Sequence, residues 1–147
     1  MTVDYRRIGP GDVEQAAIFA IQGLRPELYP MRLSPAKIEA TLKHFMHSTS
    51  DFHMAAFDGP RIVGGIAAAV FESPWFERCD ATVVMCRATL PGVGRKLIGM
   101  LKAWAADDFR VRRVMFPLEF DADARMQRLL ARYGFGTAQL VCTYQKD

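Results

Sequence analysis

Polar and apolar residues alternate over Val3-Asp4-Tyr5-Arg6-Arg7-Ile8, a period of two that predicts a first strand ended by Gly9-Pro10-Gly11. From Asp12, an N-cap residue type, Ala16, Ala17, Ala20, Ile21 and Leu24 recur at helical spacing until Arg25-Pro26. Ser34-Pro35 opens a second helix with a capping serine and a proline at the first helical position, and Ile38, Leu42, Phe45 and Met46 form its apolar stripe. Two strands, Phe52 to Phe57 and Arg61 to Phe71, flank a hairpin turn at Asp58-Gly59-Pro60. After a turn at Ser73-Pro74-Trp75-Phe76, Ala81 to Cys86 is a third strand of the meander. Leu97, Ile98, Leu101, Trp104 and Ala105 define a strongly periodic helix, and Val111 to Phe120 a strand. Asp121 then caps a helix with Met126, Leu129, Leu130 and Tyr133 on one face, Gly134 ends it, and Gln139 to Tyr144 is a last strand.

The predicted order is β-α-α-β-β-β-α-β-α-β in a single domain spanning residues 1–147. Hairpin-linked strands run antiparallel, whereas a strand-helix-strand crossover makes its strands parallel. The fold class is therefore α/β (α+β), with a mixed, mostly antiparallel central sheet and helices on both faces. A ligand site is expected beyond the carboxyl ends of the parallel strands, past Cys86 and Phe120.

Composition narrows the class. Half of the 147 residues are apolar and 24% are charged, enough apolar material for one core. No run approaches the ~20 apolar residues of a membrane span. The start, Met1 to Arg7, has no apolar segment behind a basic end, so a cytoplasmic protein is expected. Cys79, Cys86 and Cys142 are odd in number and lack C-x-x-C spacing, which argues against a disulfide framework and against a metal site. The net charge is a modest +3, but the 19 basic residues are mostly arginine, whose planar fork matches phosphate and carboxylate.

The chemistry concentrates in Val84-Met85-Cys86-Arg87-Ala88-Thr89-Leu90-Pro91-Gly92-Val93-Gly94-Arg95-Lys96. Two glycines in a strand-to-helix turn let backbone approach a ligand, and the first amides of the next helix have no internal partner. Such amides bind anions, helped by the helix dipole and here by Arg95 and Lys96. Gly94-Arg95-Lys96-Leu97 lacks the Gly-Lys-Ser/Thr ending of a nucleotide P-loop, and no G-x-G-x-x-G is present.

This turn and the element order resemble the GNAT superfamily of acyl-coenzyme A-dependent N-acetyltransferases over nearly the full chain. The coenzyme motif of that family, Gln/Arg-x-x-Gly-x-Gly/Ala, aligns with Thr89-Leu90-Pro91-Gly92-Val93-Gly94, matching both glycines and departing at Thr89. Val84 matches the family's strand valine, and Cys86 stands where proline is common. The resemblance implies that the strand before the turn splays from the strand after the helix. Backbone groups of Val84 and Cys86 would then hold the pantetheine arm of acetyl-CoA, bound as cosubstrate, and amides from Leu90 through Val93 to Arg95 its pyrophosphate. Towards the C-terminus, Leu129 and Gly134-Phe135 match Asn-x-x-Ala-x-x-Leu-Tyr-x-x-x-Gly-Phe. Asp123, Met126 and Leu130 replace its asparagine, alanine and tyrosine. That tyrosine commonly protonates the departing thiolate, and Tyr133 lies three residues further round the helix.

The implied reaction is direct transfer of an acetyl group to a primary amine, with no covalent enzyme intermediate and no metal. A backbone amide near Cys86 would polarise the thioester carbonyl. Asp80, at the start of the central strand and sharing parity with Thr82 and Val84, and Glu119, at the end of its neighbour, are the candidate bases. Glu72 and His53 are weaker, His53 reading as solvent-facing. His44 and His47 suit a helix C-terminus, and Cys86 has no histidine placed near it that would make it a nucleophile. The amine acceptor, a small molecule or a peptide, is expected between the first two helices and the loop after the third strand, at Leu28-Tyr29-Pro30-Met31 and Ser73 to Glu77. No nucleic-acid or membrane partner is expected, because Arg110, Arg112 and Arg113 beside Asp107 and Asp108 make a poor basic footprint. A homodimer is compatible with the sequence. The competing reading is a GNAT-fold acyl-CoA-binding protein with weak or no catalysis.

Overall fold

The computed structural model describes residues 2–24, 32–118 and 124–136. Its elements are β1 (Val3–Arg6), α1 (Val13–Gly23), α2 (Pro35–His47), β2 (Phe52–Asp58), β3 (Arg61–Glu72), β4 (Cys79–Ala88), α3 (Val93–Asp107), β5 (Val111–Met115) and α4 (Ala124–Arg132). They match the first nine predicted elements in type and order. Residues 139–144, read as a last strand, lie outside the described residues, as does Asp121. The strand expected to reach Phe120 stops at Met115.

Strand order in the sheet is β1-β2-β3-β4-β5, antiparallel throughout except for the parallel β4–β5 pair. The parallel pair follows from the crossover through α3. One face carries α1 and α2, packed through Phe19, Leu42, Ala55, Phe57 and Ile62. The other carries α3 and α4, through Ile66, Val83, Leu97, Ile98, Leu101 and Leu130. Both helix faces are apolar for the same reason: each must cover one side of the sheet.

Local chemistry sets the boundaries. Ser34 accepts the Lys37 N–H on its side-chain oxygen at 3.3 Å, with Pro35 following at the first helical position. The α4 C-terminus closes at Gly134, φ +84°, where the Phe135 N–H returns to the Leu130 carbonyl at 3.0 Å. Gly64 of β3 lets α3 sit close on the sheet, since a Cβ there would lie 2.5 Å from Val93 Cγ1. That contact presses the first turn of α3 against the strands.

Two irregularities in β4 position the site. Ala67 pairs with Met85 but Ala68 with Val83, so Val84 is an extra residue, a β-bulge, and stands 53% exposed. β5 pairs only with Cys79 to Thr82, and among the described residues no strand covers β4 on that side from Val83 onward. The parallel pairing therefore ends at Thr82, just before the bulge, and β4 continues beyond it.

Candidate functional site

The gap between β4 and β5 opens toward the start of α3. Thr89 donates its N–H to the Val63 carbonyl at 2.9 Å, so in an antiparallel pair the backbone groups of Arg87 face β3 and those of Cys86 and Ala88 face the open side. A strand edge with unpaired N–H and C=O groups is a template for an extended ligand.

At the end of this edge, Gly92 is the N-cap of α3 at φ +83°, a left-handed conformation that side chains disfavour. Its carbonyl accepts the Lys96 N–H at 3.1 Å. It has no side chain to cap the helix, and the amides of Leu90, Gly92, Gly94 and Arg95 make no hydrogen bond among the described residues. The first turn of α3 holds no acidic residue and instead carries Arg95 and Lys96, both exposed, where the helix dipole opposes cations. Free amides, a positive helix end and two cations together form an anion cradle. Lys96 lies over the Tyr5 ring at 4.8 Å, and the Tyr133 hydroxyl donates to the Arg95 carbonyl at 2.9 Å, so the helix side of the turn is braced by two neighbours.

Of the eight residues predicted to bind coenzyme, Val84 and Cys86 lie on the parted edge and Thr89, Leu90, Gly92, Val93, Gly94 and Arg95 in the turn. Thr89 has both donors engaged, because its hydroxyl also points to the Val63 carbonyl at 3.2 Å. Val93 N–H reaches the Leu90 carbonyl at 3.4 Å. Burial pushes the Cys86 thiol up to about 12, so it stays protonated and is no nucleophile.

The catalytic candidates fare differently. Asp80 accepts from Arg113 Nη2 at 2.9 Å and from Arg112 Nε at 3.0 Å, and these bonds, Arg113 first, hold its carboxyl below the usual carboxylate range. A carboxylate held ionised by two arginines is a poor proton acceptor. It also stands six residues before Cys86, about 20 Å at the rise of a strand, and the bulge breaks the parity that would align it with Val84. Glu119 and the Leu28 to Met31 segment lie outside the described residues. His53, expected to face solvent, is instead 4% exposed beneath α2, because β2 is an inner strand covered on both faces. Arg110, Arg112 and Arg113 are paired with Asp108 or Asp80.

One residue escaped the sequence reading. Arg87 reaches from β4 to α1, donating to the Phe19 carbonyl at 2.7 Å with its guanidinium 4.4 Å from the Phe19 ring centroid. A Cβ at Gly23 would sit 2.5 Å from Arg87 Cδ. Beside it, α1 and the turn bound a cleft of about 410 Å³ lined by Gln15, Ile18, Phe19, Gln22, Thr89 and Leu90 among others. Strict alternation would have aimed Cys86 at α1; the bulge aims Arg87 there, and no pattern in the sequence announces a bulge.

Solved structures share this fold. A possible acetyltransferase from Clostridium difficile 630 aligns over 100% of this chain and 99% of its own, with TM-score 0.76 and 10% identity. An acetyltransferase of the GNAT family from Streptococcus pneumoniae aligns over 90% of this chain and 83% of its own, with TM-score 0.71 and 15% identity. The chain has the GNAT acetyltransferase fold. AAC(6')-Iy, in complex with the bisubstrate analogue CoA-S-monomethyl-acetylneamine, has the same fold at TM-score 0.71 and 16% identity, covering 100% of this chain and 99% of that one. No protein-family model matches the sequence, and no curated protein does. The glycine turn expected from the resemblance is present, and β4 runs on past its last residue paired with β5. No helix of the described residues is long and apolar enough to cross a membrane, and they contain no group of three or more His, Cys, Asp or Glu arranged to hold a metal.

Proposed function

We propose that the protein transfers an acetyl group from acetyl-CoA directly to a primary amine on a small molecule or peptide. The observation that carries this reading is the parted β4 edge leading into an uncapped helix start with free amides and a basic first turn. Acetyl-CoA supplies the activated thioester. The open-side backbone of Cys86, with the bulge at Val84, suits the extended pantetheine arm, and the amides of Gly92, Gly94 and Arg95 suit its pyrophosphate. A β4 amide aimed into the gap stabilises the oxyanion that forms when the amine attacks, and its collapse breaks the C–S bond and releases CoA as a thiolate that takes a proton from solvent. With Asp80 held by its arginines, Glu119 is the base we assign, taking the amine proton directly or through water. Neighbours of the same fold bind CoA and aminoglycosides, which supports a coenzyme site and an amine acceptor.

A second reading, coenzyme binding without turnover, has an observation of its own. The position of the family's acid is Leu130, 5% exposed in the core, and the Tyr133 hydroxyl is committed to the Arg95 carbonyl. Two measurements separate the possibilities. Acetyl-CoA at a hundredfold excess over its dissociation constant should stabilise the fold by about 2.7 kcal/mol in thermal denaturation. Thiol release over a panel of primary amines should exceed background. Stabilisation without turnover selects the second reading, and no stabilisation at millimolar acetyl-CoA removes both.

A further inference from the structure

Charge is unevenly spread over the fold. From Val93 to Ala106 and from Ala124 to Gly136, the stretches that form α3 and α4, the chain carries Arg95, Lys96, Lys102, Arg125, Arg128 and Arg132 and no acidic residue. Everything else holds 13 of the 19 Lys and Arg against all 16 Asp and Glu, a net of −3 on a chain whose total is +3. Both helices turn apolar residues to the core, α3 through Leu97, Ile98 and Leu101 and α4 through Leu130, and leave the six cations exposed. The two sets adjoin because the end of α4 lies across α3. A Cβ at Gly99 would meet the Tyr133 ring at 3.5 Å, the Tyr133 hydroxyl bonds the Arg95 carbonyl, and Lys102 donates to the Tyr133 carbonyl at 2.6 Å. Arg125, Arg128 and Arg132, at i, i+3 and i+7, share one stripe of α4 about 10 Å long. In the sequence, acidic residues flank this surface, Asp107 and Asp108 at the end of α3 and Glu119, Asp121 and Asp123 ahead of α4. Arg125 stands nearest the latter group, and Arg128 and Arg132 follow one and two turns on. Arg95, Lys96, Lys102, Arg128 and Arg132 form no ion pair among the described residues, unlike Arg110, Arg112 and Arg113.

We propose that the α3–α4 surface docks nucleic acid through its phosphodiester backbone. Four of the six cations are arginine, whose planar fork takes two oxygens of one phosphate. The α4 stripe matches the rise of about three phosphates of one strand. Its lack of exposed apolar material separates nucleic acid from other anionic partners: none of the large exposed hydrophobics among the described residues lies on α3 or α4. A protein partner is met through an aromatic or aliphatic centre and a membrane through an inserted apolar face, and α4 commits its apolar face to the core. Nucleic-acid interfaces are polar and strongly positive and need neither. Contacts to phosphate carry no base information, so binding is independent of sequence. The expectation of no nucleic-acid partner rested on Arg110, Arg112 and Arg113, which Asp108 and Asp80 neutralise. The α3–α4 cations come instead from two segments, each too sparse to read as a basic run, that only folding brings together.

Fluorescence anisotropy of the full chain tests this, with a labelled DNA duplex and a labelled single-stranded RNA, each about 20 nucleotides long and of arbitrary sequence. The wild type should bind one or both at about 50 mM salt. The logarithm of affinity against that of salt should fall with a slope of about −4.5 on DNA or about −3.5 on RNA, as five unpaired cations displace counterions. The double variant Arg128→Gln, Arg132→Gln should bind about tenfold more weakly or worse, with a slope shallower by about 1.4 to 1.8. Arg113→Gln, at a paired arginine of β5, should bind as the wild type does. Acetyl-CoA should raise the melting temperature of the double variant as much as that of the wild type, since neither arginine belongs to the glycine turn. Should the double variant fail to fold, the wild-type salt slope remains an independent readout. The proposal is overturned by a wild type that binds neither probe, a slope near zero, a double variant that binds unchanged, or an equal loss in Arg113→Gln. Loss of acetyl-CoA stabilisation together with binding would overturn it too, as would capture of phosphatidylglycerol vesicles with the same dependence on Arg128 and Arg132. The nucleic-acid measurements stand whether or not acetyl-CoA binds.

Discussion

His53 shows how far burial moves a single residue from its ordinary chemistry. It is 4% exposed, its Nδ1 has no hydrogen-bond partner among the described residues, and the Phe45 ring packs against it at 6.4 Å. Burial first, then the charge of Arg7, push its pKa down to about 4, against about 6.5 in an unfolded chain. The unfolded state therefore takes up a proton first as the pH falls. Stability present above pH ~6.5 should be lost progressively towards pH ~4, by about 3 kcal/mol in total. Urea denaturation of the wild type and His53→Phe across that range should show this slope in the wild type and a flatter line in the variant. Asp80 titrates in the same direction but in a lower window, because its depressed pKa begins from the carboxylate range. The two contributions are thus separable by pH.

At the level of elements, the start of each helix carries the testable chemistry. Ser34 caps α2 through one side-chain bond to the Lys37 amide, and Ser34→Ala should lower stability by about 1 kcal/mol without touching the coenzyme turn. The start of α3 is opposite in character, since its amides are left open. Gly94 has ordinary space around it, a Cβ meeting Ala88 Cβ at 3.5 Å. Gly94→Glu therefore fits, and a carboxylate in the first turn interacts favourably with the helix dipole. We expect its melting temperature to be unchanged or slightly raised, and its stabilisation by acetyl-CoA to be abolished, as thermal denaturation with and without ligand will show. A general loss of stability would mean the turn is structural. Helices α1, α2 and α3 were legible from their periodicity and, for α2, from Ser34-Pro35. The glycine turn was legible because both glycines stand at family spacing. The reach of β5 was not: Val111 to Phe120 is apolar enough for a longer strand, but its pairing with β4 ends at Thr82 although β4 runs on to Ala88.

For the molecule as a whole, two packed faces and a parted sheet divide the labour. The α3–α4 face seats the helix start over the strands, and Arg87 ties the α1 end to the strand that borders the gap. Arg87→Met should loosen the last turn of α1, read as faster amide exchange over residues 19–24, while exchange at residues 93–96 stays as in the wild type. If exchange rises equally in both places, the side chain supports the core in general rather than this one junction.

Sequence alone determined the element order, the mixed sheet and the glycine turn, because hydrophobic period, capping residues and turn glycines act over a few neighbouring residues. Tertiary structure decided what those elements do to one another. Pairing across β3 inserted Val84 as a bulge, turned Arg87 rather than Cys86 toward α1, and freed the β4 edge. Long-range packing buried His53 and brought Arg112 and Arg113 onto Asp80, removing a candidate base that local parity had favoured. The reason is physical: register and ion pairing join residues about thirty positions apart in the chain, and the free energy of such contacts is not written in any short window of it.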